Sequence, residues 1–388
     1  MLRELVLPAY LPTLLWALAL GAVAPMVALS ARALGASTSV AALMVGLGLV
    51  VELILAVPVG KLVDRAGERR TMLAAAGLLA VSALIGWRAQ SLWQLAAAVV
   101  LQAPCVVAFI VARMGYIADA VPVSLRGRAL SVLGGVARVG MLVGPLIAAP
   151  VIAAAGAQSA YLVGLVAATV GGIVIAVTVH DPHHHRSEPM ERVGVREVIR
   201  RQRRVLLTVG VGVLLIGLAR SSFGVVTPLW ADHIGVTAAQ TALVFGIISG
   251  VEVLFVYPAG SISDRWGRAA SAVPTAVLIG AGLILMPLTT SFAGLVAAGA
   301  LIGIGNGLGS GIVMTLGVDA APTQGRAAFL SLWRTLSLVG HNGAAILVAA
   351  ITAMASLAAS AVFVGALALG GAAWLARWLP EYDPRRVQ

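Results

Sequence analysis

Apolar residues run along the chain in long blocks, each ended by a short stretch of charged residues, Pro or Gly. Twelve blocks follow one another, at about 9–30, 39–59, 71–88, 92–117, 129–154, 160–179, 205–230, 239–259, 271–290, 293–317, 328–354 and 357–378. Crossing a bilayer core of about 30 Å takes about 20 helical residues, and every block meets that length or nearly so. The blocks are rich in Ala, Leu, Val and Gly and lack the alternating ten-residue pattern of an outer-membrane barrel. The first carries no persuasive small-residue cleavage site and eleven more follow it, so it reads as a span rather than a removable signal peptide. The expected fold class is an all-α membrane protein with twelve transmembrane helices.

Composition agrees. Hydrophobic residues make up 60% of the 388 residues, charged ones 11%, and mean hydropathy is +1.01. A soluble fold cannot bury this much apolar surface, and a disordered chain would not carry it. One cysteine, Cys105, excludes an intramolecular disulfide framework and a multi-cysteine zinc site, and reads as a small buried apolar residue. The net charge of +11 acquires meaning only when its positions are mapped. With a cytoplasmic N-terminus, one set of loops holds 20 of the 26 Lys and Arg residues, and the opposite loops hold two, Arg32 and Arg88. Four more, Arg113, Arg138, Arg220 and Arg334, fall inside helices. Such a bias places both termini in the cytoplasm and the basic loops against anionic inner-leaflet lipid. Membrane lipid is therefore the expected partner of this charge, and nucleic acid is not.

Shifted by 200 residues, the sequence meets itself. Val51 and Glu52 fall on Val251 and Glu252, Pro58 and Gly60 on Pro258 and Gly260, and Asp64, Arg65 and Gly67 on Asp264, Arg265 and Gly267. Asp119 and Pro122 likewise fall on Asp319 and Pro322. The expected domains are thus a six-helix bundle over 1–180, a polar cytoplasmic linker over 181–204 and a second bundle over 205–388. The linker's His183 to His185 read as solvated rather than as a metal site. Parallel six-helix repeats are a transporter architecture, with the substrate site near midplane between the halves.

Between helices 2 and 3 stands GKLVDRAGER, Gly60 to Arg69, and the second copy reads GSISDRWGRA, Gly260 to Ala269. Further on, IADAVPVSLRGRA covers Ile117 to Ala129. These runs resemble the signature loops of the major facilitator superfamily, whose fold is two pseudo-symmetric six-helix bundles. The resemblance implies that Gly60, Asp64, Arg65, Gly67, Asp119, Gly260, Asp264, Arg265 and Gly267 serve conformational motifs in the loops. Glu68 departs from the family pattern, which has Arg there, and Arg69 is expected to rewire the local charge relay. Helix 5 carries GMLVGPLIAA, and its Gly140, Gly144 and Pro145 resemble a motif of proton-coupled drug exporters. Helix 4 lacks the arginine of that branch: Val99, Gln102 and Ala103 occupy the matching positions.

A charge at a helix centre costs about 2.5–3.5 kcal/mol on the insertion scale and by default marks function. Glu52 and Glu252 each stand eight residues before the motif glycine, about 12 Å deep at 1.5 Å per residue. Arg334 lies eight residues after Arg326, and Arg138 ten after Arg128. In the resembled fold, helix 2 packs on helix 11 and helix 5 on helix 8. That implies Glu52–Arg334 and Glu252–Arg138 pairs that form and break as a cytoplasmic gate. Pairing within one half, Glu52 with Arg113 or Arg138, is the alternative. Arg113 and Arg220 have no repeat copies, and helices 4 and 7 line the family cavity, so both are expected there, favouring an anionic or acceptor-rich substrate. Arg113 alternatively joins a relay with Asp64 and Asp119. Gln102, Asn306, His341 and Asn342 either meet substrate or bond between helices. Of these four, only His341 could carry a proton near neutral pH. The glycine run Gly303 to Gly311 lets helix 10 approach its neighbours.

Neither a nucleophile–base set nor a phosphate loop occurs in the sequence, so the expectation is no enzyme, no cofactor and an energy source in an ion or solute gradient. The leading function is a monomeric secondary transporter of the cytoplasmic membrane, exporting an apolar or drug-like molecule against protons. An organic-anion or sugar-like carrier is the alternative, and a transporter-like membrane sensor a remote one.

Overall fold

The computed structural model describes residues 4–179, 195–322 and 324–382. Among the described residues, twelve helices are long and apolar enough to cross a membrane. They are α1 Val6–Ala33, α2 Thr38–Val63, α3 Glu68–Arg88, α4 Leu92–Ala120, α5 Leu125–Ala155, α6 Ala157–Thr178, α7 Arg203–His233, α8 Ala238–Trp266, α9 Arg268–Leu288, α10 Phe292–Asp319, α11 Ala328–Met354 and α12 Leu357–Tyr382. No strand occurs among the described residues. The protein is an all-α, multi-pass membrane protein. Most of the linker, His183 to His185 included, lies outside the described residues.

Hydroxyl caps set the starts of α2, α4, α10 and α12. The side chains of Ser37, Ser91, Ser291 and Ser356 accept from the backbone N–H three residues on. Each cap is worth about 1 kcal/mol. At the other end of α2 and α8 the helix outruns the apolar block, continuing to Ala66 and Trp266. Gly60, Asp64 and Arg65, and likewise Gly260, Asp264 and Arg265, therefore sit in final helical turns and not in loops. The polar residues there are acceptable helix formers, and the helix stops only at Gly67 and Gly267. Their φ angles of 83° and 97° are strained for any side chain. Asp119 similarly falls in the last turn of α4.

By contacts, the chain divides into two compact units. The first contains Met1–Ser187 with Ala231–Gly246, and the second Glu188–Trp230 with Ile247–Gln388. In the first, α1 packs on α5 and α6, α3 on α4 and α6, and α2 on α4. Segment 231–246 joins this unit because Ala242 lies in one apolar cluster with Ala22, Met26, Ala148, Ala149 and Ile152. Arg32 Nε also bonds Asp232 Oδ2 at 2.9 Å. In the second unit α9 packs on α10 and α12, and α11 on α12.

The 200-residue repeat is legible in atomic packing. A Cβ on Gly140 of α5 would lie 2.6 Å from Leu14 O of α1, and one on Gly340 of α11 would collide with Leu214 O of α7. Only glycine permits either backbone approach.

Candidate substrate site

The second unit contains a broken membrane helix. α10 consists of Phe292–Leu308 and Ile312–Asp319, joined through Gly311 at a φ of 80°. In the first repeat the equivalent stretch, Ala108 to Val111, runs inside the unbroken helix Leu92–Ala120. Gly309 and Gly311 stand where Phe109 and Val111 stand, and they make the break possible. Interrupting a helix deprives carbonyls of their usual donors. Arg220 of α7 adds donors here: Nη2 donates to Asn306 O and Nη1 to Gly309 O, both at 3.3 Å, the latter also accepting from Ile312 N–H at 3.2 Å.

Other expected residues gather near this break. Asn306 is 7% exposed and its Oδ1 has no hydrogen-bond partner. Gly217, nearly one turn from Arg220, lets α7 approach the backbone of His341 on α11, 3.4 Å from where a Cβ would stand. By surface area the His341 side chain is exposed. Its neighbour Asn342 is buried, with Nδ2 unpartnered. Gly303 and Gly307 bring α10 onto α8, where a Cβ would stand 2.7 Å from Ile248 O and 2.5 Å from Glu252 O, while Gly305 brings it onto Thr275 O of α9 at 3.0 Å.

In the first unit a second guanidinium occupies the equivalent level by another route. Arg113 stands with its Cζ 5.6 Å from the centre of the Phe109 ring, and Phe109 stacks on Trp16 at 4.1 Å. An aromatic face, rather than an acid, receives this cation. Its Nε is buried without a partner. Asp119 is exposed and makes no ion pair with Arg113, and the Asp64 side chain lies outside the described residues. Thus Phe109 serves Arg113 in one repeat, while Gly309, its repeat equivalent, serves Arg220 in the other. Gln102 is half-buried and lines a water-sized space with Leu20, Ser82 and Tyr161. Cys105 is buried and donates to Leu101 O at 3.1 Å.

Glu52, Glu252 and Arg138 are half-buried, and Arg334 is exposed. The motif ends differ between repeats. Arg268 bonds Asp319 Oδ2 through Nε at 2.8 Å and Asp264 Oδ1 through Nη1 at 3.0 Å. Glu68 takes its place in the first repeat, against Gly115, with Oε2 buried and unpartnered. Arg69 does not rewire that relay: its Nη2 donates to Ala176 O at 2.9 Å, because its place in α3 aims it at α6. Arg268 and Asp319 were visible to sequence reasoning only as the repeat counterparts of Glu68 and Asp119. The break in α10 was signalled by its clustered glycines, which also suit close packing.

The sequence pattern of the Major Facilitator Superfamily matches residues 11–345. Comparison with curated protein sequences gives no match. Among solved structures, the chain is similar to a POT family transporter in complex with 5-aminolevulinic acid, with 13% identity and a TM-score of 0.78 over 98% of this chain and 96% of that one. It is also similar to a D-xylose-proton symporter, with 17% identity and a TM-score of 0.72 over 98% of each chain. Identities this low speak to fold alone. With the family pattern over most of its length and twelve apolar helices beneath it, the chain belongs to the Major Facilitator Superfamily and is a transporter rather than an enzyme.

Proposed function

We propose that this protein moves a small organic solute bearing a carboxylate or several hydrogen-bond acceptors across the cytoplasmic membrane by alternating access, coupled to protons. The observation that carries the reading is Arg220 resting on the break in α10, where the buried Asn306 Oδ1 would accept from a donor on the same solute. The Arg220 bonds there go to neutral carbonyls and are long, at 3.3 Å. A carboxylate offers the guanidinium shorter, charge-assisted, bidentate bonds. A solute of that kind would draw Arg220 off the helix break and so link occupancy to the shape of α10. Arg113, at the equivalent level of the first repeat, gives a second cation for the same substrate class. The names of the two structural neighbours, one bound to an acid and one coupled to protons, suit this reading.

Protons would be carried by Glu52, Glu252 or both, with His341 the next candidate, since arginine does not release its proton. Glu52–Arg334 and Glu252–Arg138 are the proposed gate pairs. Export of an apolar, drug-like compound is the second reading, favoured by Gly140, Gly144 and Pro145 in α5. We further propose that the protein acts as a monomer with both termini in the cytoplasm.

Thermal stability of the purified protein against a panel of acids, sugars and apolar cations tests the substrate class. The expected result is stabilisation by carboxylate-bearing solutes, weakened about tenfold in apparent affinity by Arg220→Lys and lost with Arg220→Gln. Stabilisation by apolar cations alone, indifferent to Arg220, would favour the second reading.

A further inference from the structure

The second unit carries a decorated pocket where the start of α7 meets the end of α12. A short helix, Val195–Arg201, precedes α7. Its Val198 is 3% exposed and anchored in the unit's core with Val209, Phe329, Trp333 and Leu375. That anchor fixes the following arginines in place. Beside them opens a cavity of about 230 Å³ lined by Arg201, Gln202, Arg204, Val205, Glu381 and Tyr382.

Charge there is strongly one-sided. Glu197 receives Arg200 and Arg201, at 2.8 and 2.6 Å. Those two arginines hold its carboxyl below the usual carboxylate range, so it stays ionised. Glu381 receives Arg204 and Arg377, at 3.1 and 3.2 Å. Among the described residues, and with Arg203, five arginines share two carboxylates, and Arg200, Arg201 and Arg204 are 77%, 63% and 74% exposed. Aromatic groups frame the same place. Trp374 Nε1 donates to Thr208 O at 2.8 Å, the Thr208 and Tyr382 hydroxyls lie 3.3 Å apart, and Arg377 lies 4.9 Å from the Trp378 ring centre. Trp and Tyr at a helix end mark the headgroup level of a bilayer. Leu207, 64% exposed, and Trp374, 39% exposed, continue the surface into the apolar zone.

The first repeat shows that the fold does not need these groups. There Val174, Val177 and Thr178 stand where Trp374, Arg377 and Trp378 stand, and Glu4 stands where Arg204 does. At that junction Thr178 Oγ1 lies 3.3 Å from Leu7 O. The arginines and aromatic residues of the second repeat therefore answer to something outside the bundle.

We infer that this pocket binds the phosphodiester headgroup of an anionic phospholipid, with the acyl chains lying along Leu207 and Trp374. The assignment to the inner leaflet rests on the cytoplasmic orientation proposed above. The site itself rests only on the chain being a membrane protein. The full chain, purified in detergent, is titrated with phosphatidylglycerol or phosphatidylcholine, and bound lipid is counted by native mass spectrometry. Wild type and the control R70Q/R128Q, which removes two exposed arginines elsewhere, should bind phosphatidylglycerol alike and prefer it to phosphatidylcholine. R201Q/R204Q should lose about fivefold in lipid affinity for each arginine removed, while its unfolding temperature without lipid stays near wild type. An equal loss in the control would assign the effect to diffuse charge, and displacement of the lipid by inorganic phosphate would assign the site to a free anion. Either result, or no preference between the lipids, overturns the proposal. No transport is measured, so this outcome is independent of the substrate reading.

Discussion

Replacing Gly144 by alanine probes the seam that holds the first unit together. A Cβ at this position would collide with Leu18 O and lie 2.8 Å from Ala22 N and 3.2 Å from the Gly21 carbonyl carbon, all backbone atoms of α1. No side-chain rotation relieves such contacts. Restoring an ordinary separation of 3.4 Å or more from Ala22 N requires α1 and α5 to part by more than half an ångström. Gly21 and Gly140 lie on the same seam, with built Cβ contacts of 2.9 Å to Met141 O and 2.6 Å to Leu14 O, so the parting is felt along its length. Overpacking of this kind costs about 1–3 kcal/mol. The better helix propensity of alanine offsets up to about 1 kcal/mol. Gly144→Ala should therefore destabilise by about 1–2 kcal/mol. Gly135, in the same helix, has nothing within 4 Å of a built Cβ, so Gly135→Ala should be neutral or slightly stabilising. Thermal unfolding in detergent, followed by tryptophan fluorescence, compares the two. A Gly144→Ala protein as stable as Gly135→Ala would refute the close-contact argument.

Two further outcomes follow from the charge arrangement. Arg268→Gln removes a cation that is 21% exposed from both its carboxylate partners, leaving Asp319, 18% exposed, without its pair. It should cost about 2 kcal/mol of unfolding stability, whereas Glu68→Gln at the repeat-equivalent site, which has no ion pair to lose, should change little in the same thermal assay. If the proposed gate pairs operate, Glu52→Arg and Arg334→Glu should each abolish transport and their combination should restore it. Rescue of Glu52→Arg by Arg138→Glu instead would reassign the partner.

The spans were legible because a bilayer imposes one length and one polarity, and the chain obeys both. The repeat was equally plain, since Glu52 and Glu252, or Gly67 and Gly267, face the same local demands. Helix ends were harder to read. Hydropathy fades at Lys61 and Ser261, yet the backbone stays helical until a glycine with positive φ stops it. The relay of Arg268 was hidden because Glu68 breaks the pattern in the copy that was easier to recognise. Arg220 was singled out as an intramembrane charge, but its grip on Asn306 O and Gly309 O depends on a helix break. Gly303 to Gly311 is compatible with that break and with a continuous, closely packed helix alike. Only the backbone decides between them.

Proton movement in sealed vesicles tests the central claim most directly. The full chain, reconstituted with a trapped pH-sensitive dye, is presented with single solutes from a panel of carboxylates, sugars and apolar cations. The account predicts a solute-dependent pH change with carboxylate-bearing or acceptor-rich compounds, absent in Arg220→Gln. With both Glu52 and Glu252 changed to Gln, the pH change should also be absent, while exchange of the solute down its own gradient persists. A pH change elicited only by apolar cations and undiminished in Arg220→Gln would contradict it.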